Sequence, residues 1–365
     1  MKAIFCLKRI DWLLLFFGVV LSIFGLALLY SFSFSVIDIS FFQKQIIFLV
    51  AGVICAIVLS FFNLRALKES SLLIFVLYFF FIVLLAGVFL FGREIRGARS
   101  WYDFGLFNFQ PVEFLKIIFI LLFAKYLSQR HVDMYQMKHV LLSVFYAAIP
   151  IALVFFQPDF GSVMILAILW FGMMLVSGIK RAHLSIILAV GILAMIVFWL
   201  FLFTAEQKDR FFTLLDPKYD PTGSGYHVLQ SIITVGNGGF WGNGFSEPYT
   251  QAKLGFLPEV YTDFIFAGFC EMFGFFGVLV LFMFFFLFFW RLFMIMKNLE
   301  DNFSRLLVSG FMIMVGAEIF INVGMNVGIL PITGIPLPFL SYGGSSLLSL
   351  FIGIGIIESV KTHSN

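Results

Sequence analysis

The chain alternates long apolar runs with short polar stretches. The runs lie near 13–32, 45–62, 71–91, 111–128, 140–156, 161–177, 183–203, 263–291, 304–330 and 340–360. At 1.5 Å per residue, about 20 helical residues cross a hydrocarbon layer of about 30 Å. Backbone groups cannot stay unpaired in lipid, so a spanning segment is a helix or a strand of a closed barrel. These runs lack strict apolar–polar alternation and are too long for barrel strands, which decides for helices. The predicted fold is all-α: a polytopic membrane helical bundle of about ten transmembrane helices, with residues 1–365 forming one transmembrane domain. No small-residue cleavage site follows the first run, which reads as a retained span and not a signal peptide.

Basic flanks orient the bundle. Starting inside with Lys2, Lys8 and Arg9, the alternation leaves Arg65, Lys68, Arg130, Lys138, Lys180, Arg181, Arg291, Lys297, Arg305 and Lys361 on the cytoplasmic side. That bias predicts two cytoplasmic termini. It also puts every stretch rich in Gly, Pro and acid (92–113, 157–161, 204–262, 331–346) on the outer face. The longest, 204–262, is a large external loop before the eighth helix. Its patch Val228-Leu229-Gln230-Ser231-Ile232-Ile233 predicts an ordered amphipathic or re-entrant piece at the interface.

Composition agrees and excludes other classes. Hydrophobic residues make up 62% of the chain and charged residues 12%, with a mean hydropathy of +1.06. A soluble domain has about 45–50% apolar and 25% charged residues. The net charge is only +3, so no nucleic-acid partner is implied. Cys6, Cys55 and Cys270 are scattered and give neither a disulfide framework nor metal spacing. The 54 Phe read as lipid-facing filler.

Against this background a few polar groups stand out. Glu113, Asp263, Glu271 and Glu318 lie in or at the edge of spans, and Lys116 is well inside one. Each ionisable group at such depth costs about 2.5–3.5 kcal/mol on insertion scales, so each needs a partner or a task. Gln110-Pro111-Val112-Glu113-Phe114-Leu115-Lys116 opens the fourth span, with Pro111 suited to a first helical turn. Glu113 and Lys116 share a helix face and can pair, either to neutralise each other or to meet a ligand. Arg93, Arg96 and Arg99 gather on the side where few basic residues are expected. Their forked donors suit phosphate oxygens, whether of a pyrophosphate ligand or of ordinary lipid headgroups.

Three outer turns complete the set. In Gln157-Pro158-Asp159-Phe160-Gly161, Asp159 is predicted to cap the following helix. Pro336-Leu337-Pro338 leads through Ser341-Tyr342-Gly343-Gly344-Ser345-Ser346 into the last helix, whose N–H groups can hold an anion. Asp263 ends the long loop and begins an apolar span. Thr262 or Asp263 caps that helix, or Asp263 is a base tuned between burial and the helix terminus. Glu271 follows two turns later near the same face. His227 reads as a surface residue of the loop.

In this order these stretches resemble the SEDS family of bacterial cell-shape, division and sporulation membrane proteins. The marks are Gly97-Ala98-Arg99-Ser100-Trp101, Gln110 to Lys116, Gln157 to Gly161, Gly225 to Ser231, Gly236 to Gly244, Pro258 to Ala267, and Asn322 to Ser346. The Thr333-Gly334-Ile335-Pro336-Leu337-Pro338-Phe339 wording is similar to the elongation member more than to the division member. Tyr261 stands where the family usually has His, and Met272 replaces the second acid of a common Glu-Glu pair.

The resemblance implies a peptidoglycan glycosyltransferase of the inner membrane that polymerises lipid II during cell elongation and shape maintenance. It implies a class B penicillin-binding protein transpeptidase as partner, along with other cell-elongation membrane proteins. The catalytic carboxylate matches Asp263. Arg99, Glu113, Lys116, Arg210, Glu271, Ser341 and Tyr342 are the expected substrate-binding residues, with Arg99, Lys116 and Arg210 steadying the departing pyrophosphate. No cofactor is specified: a divalent cation (Mg or Mn) bridging pyrophosphate oxygens fits the chemistry, but no ligand cluster marks it. Two alternatives stay open, a flippase for the lipid-linked precursor and the division-specific polymerase of the same family. A flippase predicts broken helices in repeated halves, and no internal repeat is visible.

Overall fold

The computed structural model describes residues 10–63, 68–95, 98–105, 107–129, 136–216, 219–220, 223–245 and 249–363. The basic residues Lys2, Lys8, Arg9, Arg65, Arg96 and Arg130, and also Cys6 and Gly97, lie outside them.

Ten helices match the ten apolar runs: α1 (Trp12–Phe32), α2 (Ile39–Phe61), α3 (Ser71–Phe91), α4 (Pro111–Gln129), α5 (Met137–Phe156), α6 (Phe160–Val176), α7 (Arg181–Val197, ending in a π turn to Leu202), α10 (Ile265–Asn298), α11 (Asn302–Asn326) and α12 (Gly344–His363). Eight of them are long and apolar enough to cross a membrane. Of the other two, α6 has 17 residues, and α4 carries Glu113, Lys116 and Lys125. The protein is a polytopic helical membrane protein. Side chains of Asp11, Asp38, Ser70, Asp159 and Asp301 accept first-turn N–H groups and start their helices.

The polar spans form the centre. α4 buries most of its length and packs between α3 and α11, while α12 lies along α2. α7 buries none of its described residues.

The connections that carry the polar motifs are ordered pieces. Between α3 and α4 the chain forms a three-stranded antiparallel sheet, β1 (Arg93–Ile95), β2 (Ala98–Asp103) and β3 (Asn108–Phe109), which the hydrophobic pattern does not foretell. The 204–262 stretch contains two helices, α8 (Ala205–Leu215) and α9 (Ser224–Asn237). α8 opens on a Thr204–Gln207 capping box. α9 buries Val228, Ser231 and Thr234, one helical face, against α10 and α11, as its amphipathic pattern predicts. Pro217, Pro221, Ser246 and Pro248 lie outside the described residues.

α10 breaks at Gly274 (φ 63°, ψ −169°). The chain at 239–244 bridges the break. Asn243 and Gly244 N–H donate to the carbonyls of Glu271 and Met272 at 2.9 Å. Phe275 and Phe276 N–H donate to Gly239 and Phe240 at 2.9 and 3.1 Å. A Cβ at position 274 would meet the Gly242 nitrogen at 2.3 Å, and the left-handed φ favours glycine as well.

At the end of the bundle where α1 begins, Asp11 is buried among α1, α10 and α12. It accepts from Arg291 at 2.6–2.8 Å and from Lys361 at 2.6 Å, and its N–H donates to Glu358 at 2.8 Å.

Candidate active site

A cavity of about 590 Å³ opens at the other end of the bundle. Its wall draws on the β-sheet, the start of α4, the turn before α6, Arg210 of α8, the turn before α10, and the segments 333–336 and 342–346. Each of the predicted outer stretches 92–113, 157–161, 204–262 and 331–346 contributes to it.

Asp263 is half-buried in this wall. It sits in a turn in which the Glu259 carbonyl accepts the N–H groups of Thr262 and Phe264 at 3.1 and 3.2 Å. One carboxylate oxygen faces Gly334, where a Cβ would lie 3.7 Å from it. Gly334 has φ 73°, a conformation that favours glycine. Helix capping by Thr262 or Asp263 is not what the structure shows. The N-cap of α10 is Phe264, without a side-chain cap, and the Ala267 N–H is taken by Asn326 Oδ1 at 3.0 Å.

The turn is stitched to the opposite loop. Tyr342 N–H donates to the Tyr261 carbonyl at 2.9 Å, and Ser341 Oγ donates to the Thr262 carbonyl at 2.6 Å. Ser341 Oγ also accepts the Leu337 N–H at 2.8 Å. This hydroxyl is therefore committed to backbone and lies outside the cavity wall, against the expectation of substrate contact. The Tyr342 ring stays in the wall, 4.9 Å from the Phe41 ring. Gln45 joins the same loop by donating to the Ser341 carbonyl and accepting the Gly343 N–H.

Glu113 and Lys116 meet as predicted and both line the cavity. Lys116 Nζ lies 2.9 Å from Glu113 and 2.5 Å from Glu318 of α11. All three side chains are almost fully buried. Lys116 is thus shared between two acidic side chains from two helices. Asp159 caps α6 through the Ser162 N–H at 3.0 Å, as expected, and its side chain also lines the cavity.

The remaining cations of the wall are Arg210, Arg93 and Lys44. Arg210 reaches the Ile332 carbonyl at 3.4 Å. Arg93 pairs with Asp103, whose carboxyl is held below the usual carboxylate range by the Gly105 N–H and by Arg93. Arg99 does not join them. It is exposed and pairs across the strands with Glu94 at 3.4 Å. Glu271 is also placed elsewhere: its two oxygens accept the N–H groups of Gln251 and Ala252 at 2.7 and 2.9 Å, so it anchors the long loop. His227 is no simple surface residue. It stacks on Phe264 with ring centroids 6.2 Å apart, and burial holds it below the ordinary histidine range.

Sequence reasoning passed over Lys44, the Lys116–Glu318 pair, and Asn322 and Asn326. The two asparagines carried a readable signal, since amides one turn apart in an apolar span need hydrogen-bond partners. Among the described residues no group of three or more His, Cys, Asp or Glu is assembled to hold a metal ion.

Comparison with known proteins agrees with this architecture. The chain is 37% identical over 287 residues to the peptidoglycan glycosyltransferase MrdB of Escherichia coli, covering 79% of this chain and 77% of that protein. It is 34% identical to a probable peptidoglycan glycosyltransferase FtsW of Thiomicrospira cyclica, covering 98% and 95% of the two chains. Among solved structures, a chain of a peptidoglycan synthase complex that coordinates polymerization and crosslinking superposes with a TM-score of 0.82, at 29% identity and with 98% and 99% of the chains covered. The rod shape determining protein RodA of Thermus thermophilus superposes with a TM-score of 0.72, at 28% identity and with 97% of each chain covered. The FTSW_RODA_SPOVE profile, described as cell cycle protein, matches residues 6–365, and the chain belongs to that family.

Proposed function

We propose that this chain is a peptidoglycan glycosyltransferase that joins lipid II units into glycan strands on the outer face of the bacterial inner membrane, with Asp263 as general base. The observation that carries this reading is the half-buried Asp263 carboxylate in the wall of a cavity to which all four outer stretches contribute. The relatives' names supply the reaction class.

In the reaction, the 4-hydroxyl oxygen of the incoming lipid-linked disaccharide attacks the anomeric carbon of the growing glycan. The new C–O bond forms as the bond to the lipid pyrophosphate breaks. Asp263 takes the hydroxyl proton, a contribution of about 10²–10⁴-fold for a well-placed base. Arg210, Arg93 and Lys44 offer cationic donors to the departing pyrophosphate. Two membrane-bound substrates held side by side gain further from proximity.

Similarity to MrdB and RodA supports a role in elongation and cell shape. The solved synthase complex supports a crosslinking partner, which we assign as a class B penicillin-binding protein. Basic flanks support cytoplasmic termini and an external 204–262 loop. The flippase reading draws less support, because the helix break at Gly274 lies outside the cavity wall.

The test is to incubate the purified protein with labelled lipid II in the absence of any penicillin-binding protein. Glycan polymer is the expected product. Translocation of lipid II across vesicles without polymer, with or without the partner, would overturn the reading.

A further inference from the structure

Asn322 and Asn326 leave the same face of α11 one turn apart, and neither is exposed. Asn322 Nδ2 donates to the Asp263 carbonyl at 2.9 Å and to the Ile335 carbonyl at 2.8 Å. Asn326 Nδ2 donates to the same Asp263 carbonyl at 3.0 Å and to the Asn322 carbonyl at 2.8 Å. The Asp263 carbonyl thus receives two amide donors, filling both lone pairs. Asn326 Oδ1 holds the Ala267 N–H in the first turn of α10, and the Asn326 carbonyl accepts from Ser231 Oγ of α9 at 2.8 Å.

These bonds converge on one point. Asp263 stands in a turn, outside regular helix, and its helix has no side-chain cap of its own. The clamp ties that turn to Ile335, the neighbour of Gly334, against which the Asp263 carboxylate lies. Polar glue between two helices would need only a bond from one helix to the other. Here the donors end instead on Asp263, in the turn that leads into α10, and on Ile335 of the cavity wall.

We infer that Asn322 and Asn326 are positioning residues that fix the Asp263 backbone, and with it the carboxylate, at the reacting hydroxyl. The inference rests on the reading of Asp263 as general base. A displacement of about 1 Å at a reacting group costs about 10²-fold in rate, whereas substrate binding by the rest of the cavity is untouched. The signature of the clamp is therefore a loss in kcat without a rise in KM.

The experiment uses the full chain with labelled lipid II and compares Asn322→Ala, Asp263→Asn and the double variant. Asn322→Ala is expected to lower kcat by about 10–10²-fold with KM within about twofold. In the Asp263→Asn background, the same change is expected to add less than about twofold, since residues acting as a unit are not additive. A folded Asn322→Ala protein with unchanged kcat, or a double variant that loses the product of the two single effects, overturns the clamp. If Asn322→Ala does not fold, Ser231→Ala decides, because it removes only the bond that braces Asn326. A fall in kcat of about 2–5-fold at constant KM, the scale of one hydrogen bond, supports the clamp, and an unchanged kcat overturns it. The two readings fail differently. Near-normal polymerisation by Asp263→Asn removes the base, and the clamp with it. A large loss in Asp263→Asn beside a normal Asn322→Ala removes the clamp alone.

Discussion

Two buried networks of charge sit at opposite ends of this bundle, and they differ in what adjoins them. At one end Asp11 is held by Arg291 and Lys361 among three helices. At the other, Glu113, Lys116 and Asp263 stand in the wall of a 590 Å³ space. The chemistry of the side chains is similar. The Asp11, Arg291 and Lys361 charges are spent on one another, whereas Glu113, Lys116 and Asp263 also border open space.

The comparison is broken or sharpened by four measurements. The largest effect is all-or-none. In a cysteine-free background, Trp241→Cys is expected to react fully with a membrane-impermeant maleimide from outside, and Glu300→Cys not at all. The reverse labelling would exchange the two ends. Next, Asp263→Asn keeps the shape of the turn and removes the proton acceptor, so polymerisation is expected to fall about 10²–10⁴-fold with unchanged melting temperature. A near-normal rate by gel assay of labelled glycan would strip the cavity-side network of its catalytic member.

Asp11→Ala is expected to do the opposite. It should cost about 3 kcal/mol of stability, the low end for a broken buried ion pair. The discount follows because Arg291 and Lys361 keep 34% and 29% of their side chains exposed. The rate per folded molecule should stay normal, and a rate loss exceeding the loss of folded protein would merge the two networks into one. The smallest contrast lies among the arginines. Arg210→Ala is expected to raise KM for lipid II about tenfold, the scale of one charge-assisted hydrogen bond. Arg99→Ala, at an exposed pair, should change rate and stability by less than about twofold and 0.5 kcal/mol. Equal effects of the two would return the pyrophosphate contact to β2.

Much of this organisation is legible in the chain because a bilayer sorts residues strongly. Each of the ten runs becomes a helix, and the Gly- and Pro-rich stretches converge on one cavity. The packing order is less legible for the same reason. α3 and α7 are among the most apolar spans and bury little or nothing, while α11 and α12 are less apolar and bury more than half of their central stretch. Hydropathy identifies what enters lipid, and polarity inside a span identifies what faces protein. Partners distant in sequence stayed hidden: Glu318 lies 202 residues from Lys116, and no local spacing announces such a pair. Arg99 misled because a strand, unforeseen between α3 and α4, pairs it with Glu94.

The break at Gly274 has a mechanical meaning. Four backbone hydrogen bonds join residues 239–244 to the two sides of the interruption, so the loop and the helix cannot slide past one another without stranding those groups. Only the segment 265–270 separates this splint from the turn that bears Asp263. Trp241, at the splint, is 74% exposed. Any displacement of the loop has to carry the start of α10 with it or break these four bonds.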